Sequence, residues 1–337
     1  MNKEQVDKLI FEGKIPDRLG QIELIETHIS WVVLGEQYAY KIKKPVQYSF
    51  LDFSSLERRK YYCEREIELN KRLTEGIYLD VQPVRDLAGH YSIGYETGGV
   101  IDYAVRMLKM DRKKQMDFLL LNNQVSPEDL QNLAVKIASF HRKAEIISHK
   151  DLQDIQIKFN DLGKEIGFLK KVDKDNGKII EHAIKKSDEF NRKNKSLLEE
   201  RLKSGFIRDC HGDLHSRNIF FLPGPQPFDC IEFNDDYRQI DVLNEVAFLC
   251  MDLDYFGRDD LSDLFISYYN QLFPAMNTEK DHQLFIYFKS YRANIRAKIN
   301  SLRAQNSMNS SDKSRWLAET VKYLNLMNRY LGMLRDQ

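Results

Sequence analysis

The chain has 337 residues, and its 51 lysines and arginines equal its 51 aspartates and glutamates in number. This length is enough for two domains or two lobes around a cleft, and the balanced charge argues against a nucleic-acid binder that acts through bulk charge. No apolar run reaches the roughly 18 residues of a membrane-spanning helix, and charges interrupt the N-terminal segment too often for a signal peptide. We therefore expect a cytoplasmic protein that binds neither nucleic acid nor membrane.

The first third of the chain combines β-prone runs with one helix. The runs cover residues 22–25, 30–34 and 38–42, and then residues 81–84, 91–95 and 100–107. Between the two groups, Ser54 and Glu57 have the spacing of a capping box. Helical spacing then continues up to Gly76 through Tyr62, Glu66, Leu69 and Leu73. This order predicts a strand-rich region that contains one long helix.

From Asp111 onward the sequence predicts mainly helices. A start signal at residues 126–128 precedes one apolar stripe, which is typical of an amphipathic helix and consists of Leu130, Leu133, Ile137, Phe140 and Ala144. His141 borders this stripe, and we interpret it as a structural histidine. Residues 149–204 are rich in charged and amide side chains, which predicts exposed helices with a turn at residues 175–177.

The most specific motif is His211 to Asn218, H-G-D-L-H-S-R-N, with a second acid at Asp229. Asp213 and Asn218 have the separation of the base and the metal-binding asparagine in the kinase catalytic loop. Two apolar runs flank the breaker residues 223–225, which predicts a hairpin that folds Asp229 back beside Asn218. Amide and carboxylate oxygens are ligands that Mg²⁺ prefers. The motif therefore predicts a base followed by a magnesium site.

H-G-D-L-H-x-x-N followed by F-D-C-I-E-F resembles the aminoglycoside phosphotransferase family, and in detail a bacterial "predicted aminoglycoside phosphotransferase" branch. The resemblance runs over most of the chain and is densest from Arg208 to Leu253. It implies an α+β, two-lobed protein-kinase-like fold. Residues 1–108 would form a small antiparallel-sheet N-lobe with one helix that binds the nucleotide. Residues 109–337 would form a larger, mainly helical C-lobe, with 149–204 as a polar insertion.

The resemblance also implies ATP and Mg²⁺ as cofactors and a hydroxyl group of a small molecule as the phosphate acceptor. Asp213 would be the catalytic base, and Asn218 and Asp229 would hold the metal. His215 lies where protein kinases usually carry a phosphate-contacting lysine. Whether His215 contacts phosphate or is structural stays open.

On the nucleotide side, Lys41 ends a β-prone run that resembles the strand whose lysine holds the α- and β-phosphates. Lys43 lies on the same face of this strand, so the pattern alone cannot separate the two. Glu66 is favoured as the partner of Lys41 because Leu69 and Leu73 share its helix face, with Glu64 and Glu68 as alternatives.

The segment from Met107 to Lys109 would receive adenine through backbone hydrogen bonds. One expected element is missing, because the turn at residues 26–30 contains no glycine and no glycine-rich loop precedes Lys41. This absence weakens the prediction of a tight phosphate cradle.

Two charge features concern the acceptor, and they point in opposite directions. An acidic cluster either attracts a polyamine-like sugar or forms a solvated helix end, and it contains Asp252, Asp254, Asp259, Asp260 and Asp263. In the helix predicted for residues 285–305, Arg292 lies within the apolar stripe and Arg296 on its flank. These arginines are possible contacts for an anionic substrate, and a structural pair of Arg292 with a carboxylate is the favoured alternative.

Departures from the protein-kinase motifs favour a small-molecule acceptor. Gly212 stands where many regulated protein kinases have arginine, the segment after Asp229 lacks the D-F-G glycine, and there is no A-P-E segment. A catalytically silent nucleotide-binding module of the same fold is the alternative function. The sequence identifies neither the acceptor nor an oligomeric state.

Overall fold

The computed structural model describes residues 1–18, 20 and 22–335. The strands are β1 (Glu23–Glu26), β2 (Ser30–Leu34), β3 (Tyr38–Lys43), β4 (Gln47–Tyr48), β5 (Leu51–Asp52), β6 (Tyr78–Leu87), β7 (His90–Ile93), β8 (Gly99–Leu108), β9 (Ile207–Asp209), β10 (Ile219–Leu222), β11 (Gly224–Pro227) and β12 (Gln239–Asp241). The α-helices are α1 (Lys3–Glu12), α2 (Leu56–Asn70), α3 (Met116–Leu121), α4 (Pro127–Lys143), α5 (Asp154–Asn160), α6 (Ile166–Val172), α7 (Lys174–Lys193), α8 (Lys195–Lys203), α9 (Val242–Tyr255), α10 (Asp259–Leu272), α11 (Glu279–Asn306) and α12 (Ser310–Met333). The chain divides into two compact units.

Unit 1 comprises Met1–Leu119 and Arg217–Tyr237. Its main sheet is antiparallel and has the order β1-β2-β3-β8-β6-β7. Side chains alternate across a strand, so Tyr40 and Ile42 of β3 join a core with α1, while Ala39 packs in a second core with α2. Lys41 and Lys43 therefore lie on the α2 face of the sheet.

Unit 2 comprises Leu120–Ser216 and Arg238–Gln337 and is mainly helical. Its central helix is α9, in which every residue from Val242 to Asp254 is buried. Helices α10 and α11 pack against α9, α4 packs against α10, and α12 packs against α11. β9 pairs with β12 at the start of α9, next to the loop that carries Asp213. Within the described residues, no helix combines the length and the apolar character needed to cross a membrane.

The fold confirms the predicted α+β class and corrects three details. A helix that the sequence did not predict, α1, precedes the sheet, so unit 1 has more than one helix. Ser55, and not Ser54, caps α2 by accepting a hydrogen bond from the Arg58 N–H. The turn predicted at residues 175–177 was wrong, because these residues form the first turn of α7 after the Asp173 cap.

Gly177 lies in α7, close to the side chain of Lys170 on α6. A Cβ atom at this position would lie 2.2 Å from the side chain of Lys170 on α6. The Lys170 side chain is flexible and half-exposed and can move, so this contact favours a small residue at position 177 without requiring glycine.

Candidate active site

In unit 1, two lysines of β3 share one carboxylate of α2. The Nζ of Lys41 lies 2.8 Å from Oε1 of Glu66, and the Nζ of Lys43 lies 2.7 Å from Oε2 of the same residue. The alternatives Glu64 and Glu68 are exposed and face Lys60 and Arg65 at 3.8 Å. Glu66 is therefore the helix acid that meets both lysines.

Glu66 and Lys43 are buried, Lys41 is mostly buried, and all three are charged. Burial would raise the pKa of Glu66, but the charges of Lys41 and Lys43 lower it to about 2. Burial likewise opposes the charged form of Lys41, yet Asp229 and Glu66 raise the pKa of Lys41 well above its usual value. Both ions thus stay charged at neutral pH.

The hairpin brings Asn218 and Asp229 together as predicted. β10 and β11 are antiparallel with Ile219 opposite Pro227, and the Phe228 N–H donates to the Asn218 carbonyl at 2.9 Å. The next residue, Asp229, places Oδ1 2.6 Å from the Nζ of Lys41. Unit 1 thus contains an amide, a carboxylate and a lysine of the kinds that handle Mg²⁺ and phosphate.

Asp229 adopts a backbone conformation that is unusual for a residue other than glycine. Its φ is +62°, and left-handed backbone of this kind persists where the surroundings hold it. The Asp229 N–H donates to the Tyr78 hydroxyl at 3.1 Å, and the Cys230 N–H donates to Oδ1 of Asn70 at 2.9 Å. These contacts fix the segment to β6 and α2.

The segment predicted to receive adenine is largely engaged in the sheet. Met107 pairs with both Ala39 and Tyr78, and the Lys109 N–H donates to the Gln37 carbonyl at 2.8 Å. The Lys109 ammonium group donates to the Gly35 carbonyl. The Lys109 N–H is therefore already hydrogen-bonded. Partly buried apolar side chains surround this strand pair, among them Val32, Leu34, Met110 and Phe228.

The turn between β1 and β2 explains how the chain closes without glycine. The hydroxyl of Thr27 accepts hydrogen bonds from the N–H groups of Ile29 and Ser30 and donates to the Ser30 carbonyl. A threonine side chain thus supplies the bonds that stabilise the turn. The tight phosphate cradle of a glycine-rich loop does not form here.

In unit 2, Asp213 lies beside His215. Nε2 of His215 is 3.4 Å from Oδ2 of Asp213, and the His215 ring packs against Phe248. Burial would raise the pKa of Asp213, but His215 and Arg296 lower it well below its usual range. Asp213 is therefore ionised at neutral pH and can accept a hydrogen bond from a hydroxyl group.

Glu245, which the sequence patterns did not indicate, supports the loop before Asp213. Its two oxygens accept hydrogen bonds from the N–H groups of His211 and Gly212, at 2.6 and 3.0 Å. Asp241, at the start of α9, caps this helix and pairs with Arg201. The sequence signal that indicates Glu245 is an acid in the first turn of a mainly apolar helix, where a charged side chain is buried only with partners.

Arg292 acts on the same loop from α11. Its guanidinium group donates to Oδ1 of Asn244 at 2.7 Å and to the Gly212 carbonyl at 3.1 Å. Its hydrogen-bond partners in the structure are thus an amide and two carbonyls rather than the predicted carboxylate. Arg296, one turn further on, is buried and lies over the ring of Tyr323.

The acidic cluster is mostly engaged inside unit 2. Asp252 accepts from the Ser216 N–H at 2.9 Å, and Asp254 contacts Lys289 at 2.5 Å and the Tyr330 hydroxyl. Both aspartates are buried, so the predicted solvated helix end was wrong for these two residues. These contacts stabilise α9 against α11 and α12.

Comparison with known proteins supports the fold. No family model matches the chain. Uncharacterized proteins of Mycobacterium tuberculosis and Mycobacterium bovis are 31% identical over 321 residues, which is 92% of this chain and 60% of theirs. This chain therefore spans less than two thirds of the length of these relatives.

Two solved structures match almost the whole chain. A choline kinase from Cryptosporidium parvum aligns with a TM-score of 0.56 at 12% identity and covers 98% of this chain and 97% of its own. The GDP complex of a variant aminoglycoside 2'-phosphotransferase-IIIa aligns with a TM-score of 0.51 at 12% identity and covers 97% and 98%. This chain has their protein-kinase-like fold. The fold by itself assigns no substrate.

Proposed function

We propose that this protein is an ATP- and Mg²⁺-dependent phosphotransferase that acts on a hydroxyl group of a small molecule. The observation that carries the proposal is the contact of Lys41 with both Glu66 and Asp229. A lysine held by a helix glutamate next to an aspartate is the arrangement that kinases use to hold nucleotide phosphates and their metal. The motif around Asp213 supplies the matching base.

Each residue has a role in this proposal. Asp213 accepts a hydrogen bond from the acceptor hydroxyl and orients its oxygen toward the γ-phosphorus of ATP. Asn218 and Asp229 would hold Mg²⁺, which would neutralise charge on the phosphate oxygens. Lys41 binds the α- and β-phosphates. The new P–O bond forms at the acceptor oxygen, whose proton passes to Asp213, while the bond between the γ-phosphorus and ADP breaks and ADP leaves.

The nucleotide base would pack against the apolar side chains that surround Ala39 and Met107. Because the Lys109 N–H is already bonded to Gln37, we assign the polar contact with adenine to the backbone carbonyls of this segment.

The internal pairing of Asp252 and Asp254 gives no support to a polycationic acceptor. The acceptor therefore stays unassigned.

The experiment is ADP release from ATP and Mg²⁺ with a panel of sugars, amino alcohols and hydroxy acids. Asp213→Asn should lower kcat about 1,000-fold because it removes the charge that orients the hydroxyl, while the Kd for Mg-ATP changes less than about twofold. Normal turnover by this variant would refute the role of Asp213. If wild type binds Mg-ATP but phosphorylates no acceptor, the silent nucleotide-binding module replaces the proposal.

A further inference from the structure

Lys43 and Glu232 form a second buried ion pair beside the Lys41–Glu66 pair. The Nζ of Lys43 contacts Glu232 as well as Oε2 of Glu66. Lys43 and Glu66 are fully buried, and Glu232 is 4% exposed. Buried charges are stable only when they are fully partnered, so each of these residues depends on the others.

The second pair restricts Glu66. With Lys41 alone, one carboxylate oxygen would be engaged and the other would be free to rotate. Because Lys43 engages the second oxygen, the plane of the carboxylate is fixed, and Oε1 points at Lys41. Burial and hydrogen bonding from both sides thus hold the group that orients Lys41.

The same pair also restrains the segment that carries Asp229. Glu232 lies three residues after Asp229 and binds to β3 through Lys43. Lys41 of the same strand contacts Asp229 directly. Two lysines on one strand face therefore hold both acids of the segment in place.

We propose that Glu232 is a positioning residue for nucleotide binding, which acts through Lys43 and Glu66 on Lys41. This inference rests on the proposed function, because it assumes that Lys41 binds nucleotide phosphates. Glu232 itself touches neither phosphate nor acceptor in the proposal. Its loss would leave Lys43 with Glu66 as the remaining partner, which loosens the restraint on the Glu66 carboxylate and so on the ammonium group of Lys41.

The test is a double-mutant cycle read out by the Kd for Mg-ATP, which needs no acceptor. Lys43→Met and Glu232→Met should each weaken binding roughly tenfold, and the double variant should bind no more weakly than either single variant because they break one pathway. Glu64→Met, an exposed position on the same helix, is the matched control and should bind like wild type.

The outcomes separate this inference from the proposed function. If the single variants fold and bind Mg-ATP like wild type, the ion pair is purely structural and the inference is wrong. The inference is also wrong if the Kd for Mg-ATP rises about 100-fold in the double variant, because the two effects would then be independent. Wild type that binds no nucleotide would instead refute the proposed function. If Glu232→Met does not fold, Glu232→Gln is measured against the same criteria, because it keeps the volume and one oxygen acceptor.

Discussion

At the scale of single residues, the backbone of Asp229 gives a prediction that separates stability from activity. Asp229→Gly and Asp229→Ala both remove the carboxylate, so each should lower turnover by roughly 100-fold or more. Alanine is disfavoured at a φ of +62°, whereas glycine adopts it freely, so the alanine variant should be less stable by about 1 kcal/mol. Urea unfolding of the two variants measures the difference. Equal stabilities would contradict the strain at this position.

His141 gives a prediction for the pH dependence of stability. Burial, with Arg208 nearby, lowers the pKa of His141 to about 3, while the unfolded chain keeps the ordinary value of about 6.5. Between these values the unfolded state binds the extra proton, so stability is lost as the pH falls. From pH 7 to 5 the loss from this group should be about 2 kcal/mol.

The control for this prediction is His141→Gln, which cannot titrate but can still hydrogen-bond the Tyr269 hydroxyl that His141 contacts at 2.7 Å. The free energy of unfolding is measured for both proteins at pH 7 and pH 5. The difference between the two pH values should be smaller in the variant. The same pH dependence in both proteins would exclude His141 as its source.

Lys43 and Glu245 show why sequence patterns did not identify the whole candidate site. Strand periodicity places Lys41 and Lys43 on one face, but it contains no information on which acids face them. Glu245 accepts hydrogen bonds from backbone N–H groups of a loop that lies 33 and 34 residues earlier in the chain. Sequence spacing does not show how such a distant loop is oriented. Local spacing did select Asp213, Asn218 and Glu66 as candidates, because a motif or the periodicity of one helix face can be read from neighbouring residues.

At the scale of elements, the start of α2 gives a direct test of the cap. The sequence pattern pointed to Ser54, whereas the Ser55 hydroxyl accepts from the Arg58 N–H. Ser55→Ala should therefore destabilise the protein by about 1 kcal/mol, since an N-cap serine satisfies a helix N–H that is otherwise unpaired. Ser54→Ala should cost less than about 0.5 kcal/mol, as expected of an exposed position. If Ser54→Ala lowers the stability in thermal unfolding more than Ser55→Ala does, Ser54 is the cap.

The elements that the sequence predicted best are those with strong local signals. The β10–β11 hairpin follows from two apolar runs around a Pro-Gly-Pro segment, and α4 follows from its stripe and its Ser126 cap. The prediction of a turn at residues 175–177 failed because these residues lie in the first turn of α7, where Asp173 caps the helix and Gly177 lies against Lys170 of α6. Local composition cannot reveal a contact with another helix.

At the scale of the whole molecule, unit 1 is built from two separate segments of the chain. The family resemblance implied a lobe boundary after residue 108. Sequence periodicity could not add a distant segment to this lobe, because it carries no information about contacts between distant parts of the chain. In the structure, Arg217–Tyr237 belongs to the same unit as Met1–Leu119. It supplies Asp229 and Glu232, which are partners of Lys41 and Lys43.

This arrangement predicts which fragments fold. A fragment of residues 1–119 keeps Lys41, Lys43 and Glu66 but lacks Asp229 and Glu232, which pair with the two lysines. Breaking a buried ion pair costs about 3–5 kcal/mol. This cost is a large part of the free energy of unfolding of a typical domain. We expect this fragment to be largely unfolded by circular dichroism and NMR. Joining residues 217–237 to it through a flexible glycine-serine linker should restore a cooperative unfolding transition, and Glu232→Met in the joined fragment should remove it again. Cooperative unfolding of residues 1–119 alone would show that the segment does not complete unit 1.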